Sequence, residues 1–474
     1  MNIYETIKRE TEGFRDKKAV IEGDGVLSYG QLLSSAESIA VAFREEGVRP
    51  YHRVGLLCGD SIDYISTSLA ILSLPAVIVP ISPEQPVAEI ESTIDRIALD
   101  FLIFEKGTYN SGDARSLRSE GFFRKQFFLI RREAVEGPCR EYYEINPAFI
   151  RFSSGTTGIS KGVVLSHEAI VERTDAADKG LGITHRDTVL WVLSMSFHFV
   201  VSILLYLRRA ATIILCGRPF PEAVIEGVIR HRGTFIYASP FHYSLLTHAE
   251  MLSPESLKEV RMAISTAMKL PDSIAEGFSA RFGLELTEAY GIIEVGLPFI
   301  KRAADKRGSV GRALPDYKVA ILNKDDEGIG EIHIKGKGML DAYYSPWQNR
   351  EGILRDGWFK TGDLGRIDDS GFLTIVGRDK DVINFAGMKI FAYEVESIIN
   401  QYPRIRESLV YGVPHPQYGQ LPIAKIVLTE GASEVFDPDD LRRFCYQRLT
   451  QYKVPKDFEC VDHLPKTASG KIRR

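Results

Sequence analysis

Residues 153–162 read SSGTTGISKG, with four hydroxyls in the first five positions, three glycines and one lysine. Glycine lets a chain turn sharply and bring its N–H groups to one side. A concave run of such groups binds anions, hydroxyls add donors, and Lys161 supplies a mobile charge suited to phosphate. The chemistry this implies is a grip on a polyphosphate. The common P-loop is a poor match, because its lysine precedes a Ser or Thr that opens a helix. Here Lys161 follows Ser160 and precedes Gly162. From composition alone, a Gly/Ser/Thr-rich linker between strands is the competing reading.

Positioning such a loop takes a rigid frame. Residues 149–152 (FIRF) and 163–165 (VVL) predict strands on either side. Apolar runs at 53–58, 76–81, 101–104, 211–215, 234–238 and 262–264 predict further strands. Helical spacing appears over 30–46, 61–74, 219–232 and 241–249, with Pro75 ending the second. Strands alternating with helices imply parallel sheet, whose ligands sit in loops beyond the strand ends. Residues 287–296 (TEAYGIIEVG) read as a polar-aromatic loop, and 358–363 (WFKTGD) as ending in a turn. The Gly-rich stretch 308–336 predicts β-hairpins, and 372–376 a strand. Residues 377–381 (GRDKD) are dense in charge and read as a connection between domains. Beyond them a small α+β unit is expected: a hairpin turning at Ala386-Gly387, helices at 392–400 and 438–451, and strands at 407–413 and 424–428.

The chain has 474 residues, too many for one compact core. A net charge of −4 provides no global field for nucleic acid. The five cysteines are scattered without CxxC spacing, which suggests a reducing, cytoplasmic setting and no zinc site. Residues 189–207 hold no Asp, Glu, Lys or Arg, yet carry Ser194, Ser196, His198 and Ser202. A buried strand followed by a buried helix is expected there, and no membrane span. From Leu441 onward, nine Lys/Arg face three Asp/Glu. Such a basic tail is either a solvated surface or a partner for polyphosphate.

The segments SSGTTGISKG, AYGIIE (289–294), TGD (361–363), GRDKD (377–381) and PKTASGK (465–471) occur in this order. Together they resemble the signature segments of the acyl-adenylate-forming superfamily: acyl- and aryl-CoA synthetases, peptide-synthetase adenylation domains and beetle luciferases. The likeness runs from LSYGQL near residue 27 to the C-terminus and is greatest to acyl-CoA synthetases. It implies an α/β fold: a large N-terminal domain of parallel-rich sheets with flanking helices and a β-subdomain (1–377), a hinge (378–382), and a small mobile α+β domain (383–474). It implies ATP-dependent activation of a small carboxylic acid to acyl-AMP, then thioester formation with CoA. The alternative acceptor is the phosphopantetheine of an acyl carrier protein. A rival of another class is a non-catalytic sensor of acyl-adenylate or nucleotide.

The resemblance also carries residue roles. Ser153, Ser154, Gly155, Thr156, Thr157, Gly158 and Lys161 would hold the β- and γ-phosphates of ATP. Tyr290 would pack on adenine, Asp363 would take the ribose hydroxyls, and Arg378 would lie near ribose and phosphates. Glu294 matches the Mg²⁺ ligand, and Lys471 the catalytic lysine that bridges carboxylate and α-phosphate. Lys380 matches the hinge, and Gly387 the glycine beside the thiol tunnel. His198, in SFHF, stands at the pocket position where enzymes selecting α-amino acids carry Asp, which argues for an acid lacking that amine. Four places depart from the pattern. Ser160 replaces a proline, and Ile293 replaces a threonine whose hydroxyl meets the α-phosphate. Ser265-Thr266-Ala267 stands for Gly-Gly-Ala, and Pro75-Ala76 for Gly-Ala.

Overall fold

The computed structural model describes the chain except residues 118–122, 133–137, 153–160, 218, 303–304, 307, 430, 432–435, 467–471 and 474. Two large sheets dominate. The first has eight strands, in the order Gly296–Ile300, Leu286–Ile292, Met262–Ser265, Phe235–Ala238, Thr188–Trp191, Thr212–Leu215, Lys18–Glu22 and Gly25–Ser28. Its inner pairings are parallel, and both edges are closed by an antiparallel strand. The second has nine strands around a parallel centre, Pro147–Phe152, Val77–Ile81, Arg53–Leu57 and Phe101–Glu105. Its flanks are antiparallel, so the sheets are mixed rather than uniformly parallel.

Strand alternation sorts the side chains into layers. In the first sheet, Val189 and Trp191 face the other sheet, whereas Leu190 faces away. In the second, Leu56 faces inward and Leu57 outward. The helices Ile3–Glu10, Tyr29–Glu45, Ile62–Ser73 and His167–Leu181 fill the space between the sheets. The helices Glu222–Ile229, Pro240–His248 and Asp272–Phe282 cover the outer face of the first sheet. Val87–Ile97 covers that of the second. Local signals set the helix ends. Ser61 accepts from Tyr64 N, Ser28 and Gln31 form a reciprocal capping box, and Gly182 closes His167–Leu181 at φ +56°. The apolar run 189–207 is a buried strand end followed by short buried helical turns, as expected. Among the described residues, no helix is long and apolar enough to cross a membrane.

A four-stranded antiparallel sheet, Tyr317–Leu322, Gly330–Gly336, Phe359–Ile367 and Leu373–Arg378, forms the β-subdomain. A separate C-terminal domain is built on five strands, with the helices Ala392–Ile399 and Pro438–Tyr446. Phe391 of that domain packs against Ile329 and Leu364 of the β-subdomain. Three expectations need correction. Residues 287–292 are the strand Leu286–Ile292, not a loop. Asp363 lies inside the strand Phe359–Ile367, not at a terminal turn. The helices expected over 219–232 and 438–451 are shorter, Glu222–Ile229 and Pro438–Tyr446. In the first two, backbone ladder bonds to remote strands override a polar local composition.

Candidate active site

Three polar residues come together where the β-subdomain packs on the edge of the first sheet. Asp363 and Arg378 are direct partners across their antiparallel ladder. Their side chains therefore emerge side by side, and Arg378 Nε lies 3.1 Å from Asp363 Oδ1. Tyr290, on Leu286–Ile292, donates its hydroxyl to Asp363 Oδ2 at 2.5 Å. Asp363 is buried, and burial together with this carboxylate pushes the Tyr290 phenol well up. Tyr290 is therefore a fixed donor at neutral pH. A carboxylate has about four acceptor sites, so Asp363 can take further hydroxyl donors without releasing these two.

Glu294 occupies the turn between Leu286–Ile292 and Gly296–Ile300. Its backbone is held on both sides. Arg173, wholly buried on His167–Leu181, donates to Ile293 O at 3.0 Å and to Gly338 O at 2.6 and 2.9 Å. Leu340 N donates to Glu294 O at 2.7 Å. The carboxylate accepts from the Tyr343 hydroxyl at 3.3 Å. Lys161 Nζ lies 4.6 Å from the centre of the Tyr343 ring and 3.4 Å from Gln348 Oε1. Tyr343 thus stands between Lys161 and Glu294. Burial holds the Glu294 carboxyl above the usual carboxylate range. A half-buried carboxylate whose side-chain donor among the described residues is a tyrosine fits a divalent cation. Among the described residues no cluster of three metal-capable side chains exists, so substrate oxygens and water would complete its shell.

His198 ends the short helix Met195–His198. Its ring meets Trp191 and Tyr237 edge-on at 6.4 and 6.5 Å, and those two rings stack at 5.2 Å. Thr266 donates to Ala289 O at 3.2 Å, tying the end of Met262–Ser265 to the strand that carries Tyr290. The next residue, Ala267, has φ +74°, a conformation a glycine would adopt without strain.

The structure thus joins Tyr290, Asp363 and Arg378 in one cluster, and Lys161 with Glu294 through Tyr343. Lys380 lies exposed in the turn Asp379–Asp381, two residues from Arg378. Gly387 shares with Ala386 a two-residue turn with φ +82° and +50°, between Val382–Phe385 and Met388–Phe391. That is the hairpin the sequence predicts. Ser153, Ser154, Gly155, Thr156, Thr157, Gly158 and Lys471 lie outside the described residues. Their flanks do not. Phe152 pairs with Gly162 across the antiparallel ladder, Lys466 bridges Ile472, and Arg473 donates to Glu89 at 2.8 Å. Sequence reasoning missed Arg173, Tyr343 and Arg151, whose guanidinium lies 5.7 Å from the centre of the Phe197 ring, beside His198 in sequence. Arg151 carried a signal: it is the one charge in the strand Pro147–Phe152.

The family of AMP-binding enzymes matches residues 7–344, and the AMP-binding enzyme C-terminal domain matches 394–471. The chain belongs to this family; it is an AMP-forming acid–thiol ligase. It is 28% identical over 473 residues to a feruloyl-CoA synthase of Amycolatopsis sp., covering 96% of this chain and 94% of that protein. To a long-chain-fatty-acid–CoA ligase of Bacillus subtilis (strain 168) it is 31% identical over 348 residues, 69% of this chain and 60% of that one. In fold it is similar to ATP-bound MatB from Rhodopseudomonas palustris, with a TM-score of 0.85 at 24% identity, covering 100% of this chain and 97% of that one.

Proposed function

We propose that this chain joins a carboxylic acid to ATP as an acyl-adenylate and passes the acyl group to CoA. The observation that carries the reading is the buried Asp363, already holding Tyr290 and Arg378, with acceptor capacity left for a ribose diol. Tyr290 presents its ring to adenine, and Arg378 faces ribose and phosphates. Lys161 and residues 153–158 hold the β- and γ-phosphates. Glu294 is the residue that would hold Mg²⁺, which when bound offsets charge on the phosphates. Lys471 offsets the charge that gathers where carboxylate meets α-phosphate. Residues 378–382 serve as hinge, so that residues 383–474 swing Lys471 out and Gly387 in between the two steps.

CoA as acceptor is supported by relatives whose names specify CoA ligation, among them an indoleacetate–CoA ligase of Aromatoleum aromaticum. The aromatic walls Trp191 and Tyr237, with His198 at the amine-selecting position, support an apolar or aromatic acid without an α-amino group. The test is acid-dependent exchange of pyrophosphate into ATP over benzoate, cinnamate, octanoate and palmitate, followed by CoA-dependent release of AMP. Exchange with at least one acid is expected, and Lys471→Ala abolishes it. No exchange with any acid would refute the ligase reading, and AMP release with a phosphopantetheinyl carrier but not CoA would refute the acceptor.

A further inference from the structure

The strand Pro147–Phe152 is packed on both faces. Ile150 belongs to the outer core, whereas Phe149 belongs to the core between the sheets. Arg151 pairs with Val163, itself wholly buried in that inner core. A charge entering such surroundings is unfavourable unless an anion meets it. Yet among the described residues no carboxylate forms an ion pair with Arg151. One of its amino groups donates to the Phe197 carbonyl, and the guanidinium lies 5.7 Å from the centre of the Phe197 ring. Among the described residues its buried Nε has no partner. Burial pushes the guanidinium down to about 10, which leaves it cationic at neutral pH, and Glu294 and Tyr64 are near enough to oppose that shift.

Two more orphaned groups lie beside it. The Tyr64 hydroxyl and Ser196 Oγ are buried close to one another, and among the described residues neither has a well-aligned hydrogen-bond partner. Tyr64 is close enough to feel both Ser196 and Arg151, and burial keeps its phenol protonated. Ser196 is two residues before His198. Among the described residues, Arg151 Nε and two hydroxyls thus lack an acceptor, near Glu294, the candidate metal ligand, and on the helix that ends at His198. Arg151 is only partly buried, so a ligand can reach it. What the arrangement lacks is a small anion with two oxygens.

We propose that Arg151, with Tyr64 and Ser196, binds the carboxylate of the acid substrate. The proposal rests on the ligase reading above. One carboxylate oxygen forms the bond to the α-phosphorus, and the bond from phosphorus to pyrophosphate breaks with its electron pair leaving on pyrophosphate. Arg151 holds the other oxygen, which becomes the carbonyl oxygen of the mixed anhydride. When the thiol sulfur bonds to that carbonyl carbon, negative charge gathers on the held oxygen. It returns as the carbon–oxygen bond to AMP breaks, and the thiol proton goes to solvent. Arg151 keeps its own proton throughout. It belongs to the large domain, so it serves both steps, whereas Lys471 serves the first.

The experiment compares the unmutated chain with Arg151→Met, Arg151→Lys and Arg151→Gly in pyrophosphate exchange and in thiolysis of separately prepared acyl-adenylate by CoA. In Arg151→Met the acid KM rises about tenfold to a hundredfold, the scale of a lost charged hydrogen bond. ATP KM stays within about twofold, and thiolysis slows about tenfold or more. Arg151→Lys, which keeps charge but loses the forked donors, shows the same changes at about fivefold. Added guanidinium ion restores part of the thiolysis rate to Arg151→Gly. Acid KM and thiolysis within about twofold of the unmutated chain in folded Arg151→Lys or Arg151→Met would overturn the proposal and leave the ligase reading standing. Failure of the unmutated chain to exchange with any acid would remove both.

Discussion

Replacing Asp363 by asparagine removes one charge and keeps the shape of the side chain. Asp363 is 4% exposed and accepts on both oxygens, from Tyr290 at 2.5 Å and from Arg378 at 3.1 Å. An amide has one acceptor oxygen, so one of these donors faces an NH₂ group instead. Orphaning a buried donor costs about 1–3 kcal/mol. The Arg378 side chain is 32% exposed, so water offsets much of its loss, leaving under ~1 kcal/mol from the ion pair. The sum, about 1–4 kcal/mol, is a fall of roughly 1–5 °C in the melting temperature of a domain as large as this one. The functional loss is separate. A hydroxyl bonded to a charged acceptor is stronger by about 1–1.5 kcal/mol than one bonded to an amide, and a ribose offers two. ATP KM in pyrophosphate exchange therefore rises about tenfold to a hundredfold. Calorimetry reads the first effect, exchange at saturating acid the second. An ATP KM within about twofold, beside a lowered melting temperature, would show that Asp363 only fastens Tyr290 and Arg378 together. The ribose assignment would then be wrong.

Three further outcomes follow from groups held in unusual states. Burial raises Glu294, and cation binding needs its ionised form, so the Mg²⁺ concentration for half-maximal exchange falls as pH rises above the usual carboxylate range. Glu294→Gln removes that trend, and a flat requirement in the unmutated chain would refute the assignment. His167 is wholly buried, accepts from Ile3 N at 3.2 Å, and is pushed down to about 4 by burial. Its folded value lies below its unfolded value near ~6.5, so the stability it contributes is present above about 6.5 and lost as pH falls toward ~4, roughly 3 kcal/mol in all. The melting temperature of His167→Asn should fall less steeply over that window, and identical profiles would contradict this. Gly338 has φ +64°, and a Cβ there would come 2.4 Å from the Arg173 backbone N. Gly338→Ala should cost about 2–4 kcal/mol and lower exchange by displacing the arginine that holds Ile293 O. Unaltered melting and exchange would mean that this contact yields freely.

The frame was legible wherever burial wrote a period into the sequence. The strands flanking the candidate phosphate loop, the hairpin at Ala386-Gly387 and the buried run over 189–207 all follow from apolar spacing and turn residues. Residues 287–292 misled because Glu288, Ala289 and Tyr290 look like loop residues. Their polarity is satisfied by groups far along the chain, Glu288 by Lys301 and Tyr290 by Asp363. The same holds for TGD, whose strand is fixed by ladder partners on either side. Motif order named Glu294, but nothing local announced that Arg173 and Leu340 fix its backbone, because those contacts exist only once the helix His167–Leu181 packs. Arg151 shows the opposite case. A lone charge in an apolar strand was readable, but its meaning depended on finding it without an ion pair among the described residues.

The contact between Arg473 and Glu89 joins points 384 positions apart in the chain. Both side chains are about half exposed, at 50% and 41%, so the pair adds little stability. Its value is as a place to attach probes. Donor and acceptor dyes at these positions would be near contact in the arrangement described here and would separate with any swing of residues 383–474. Energy transfer between them would turn the order of ATP, acid and CoA binding into a fluorescence trace, read during turnover. Cys460, exposed and free, and Cys139, free and partly exposed, would first be replaced so that labelling stays confined to the pair.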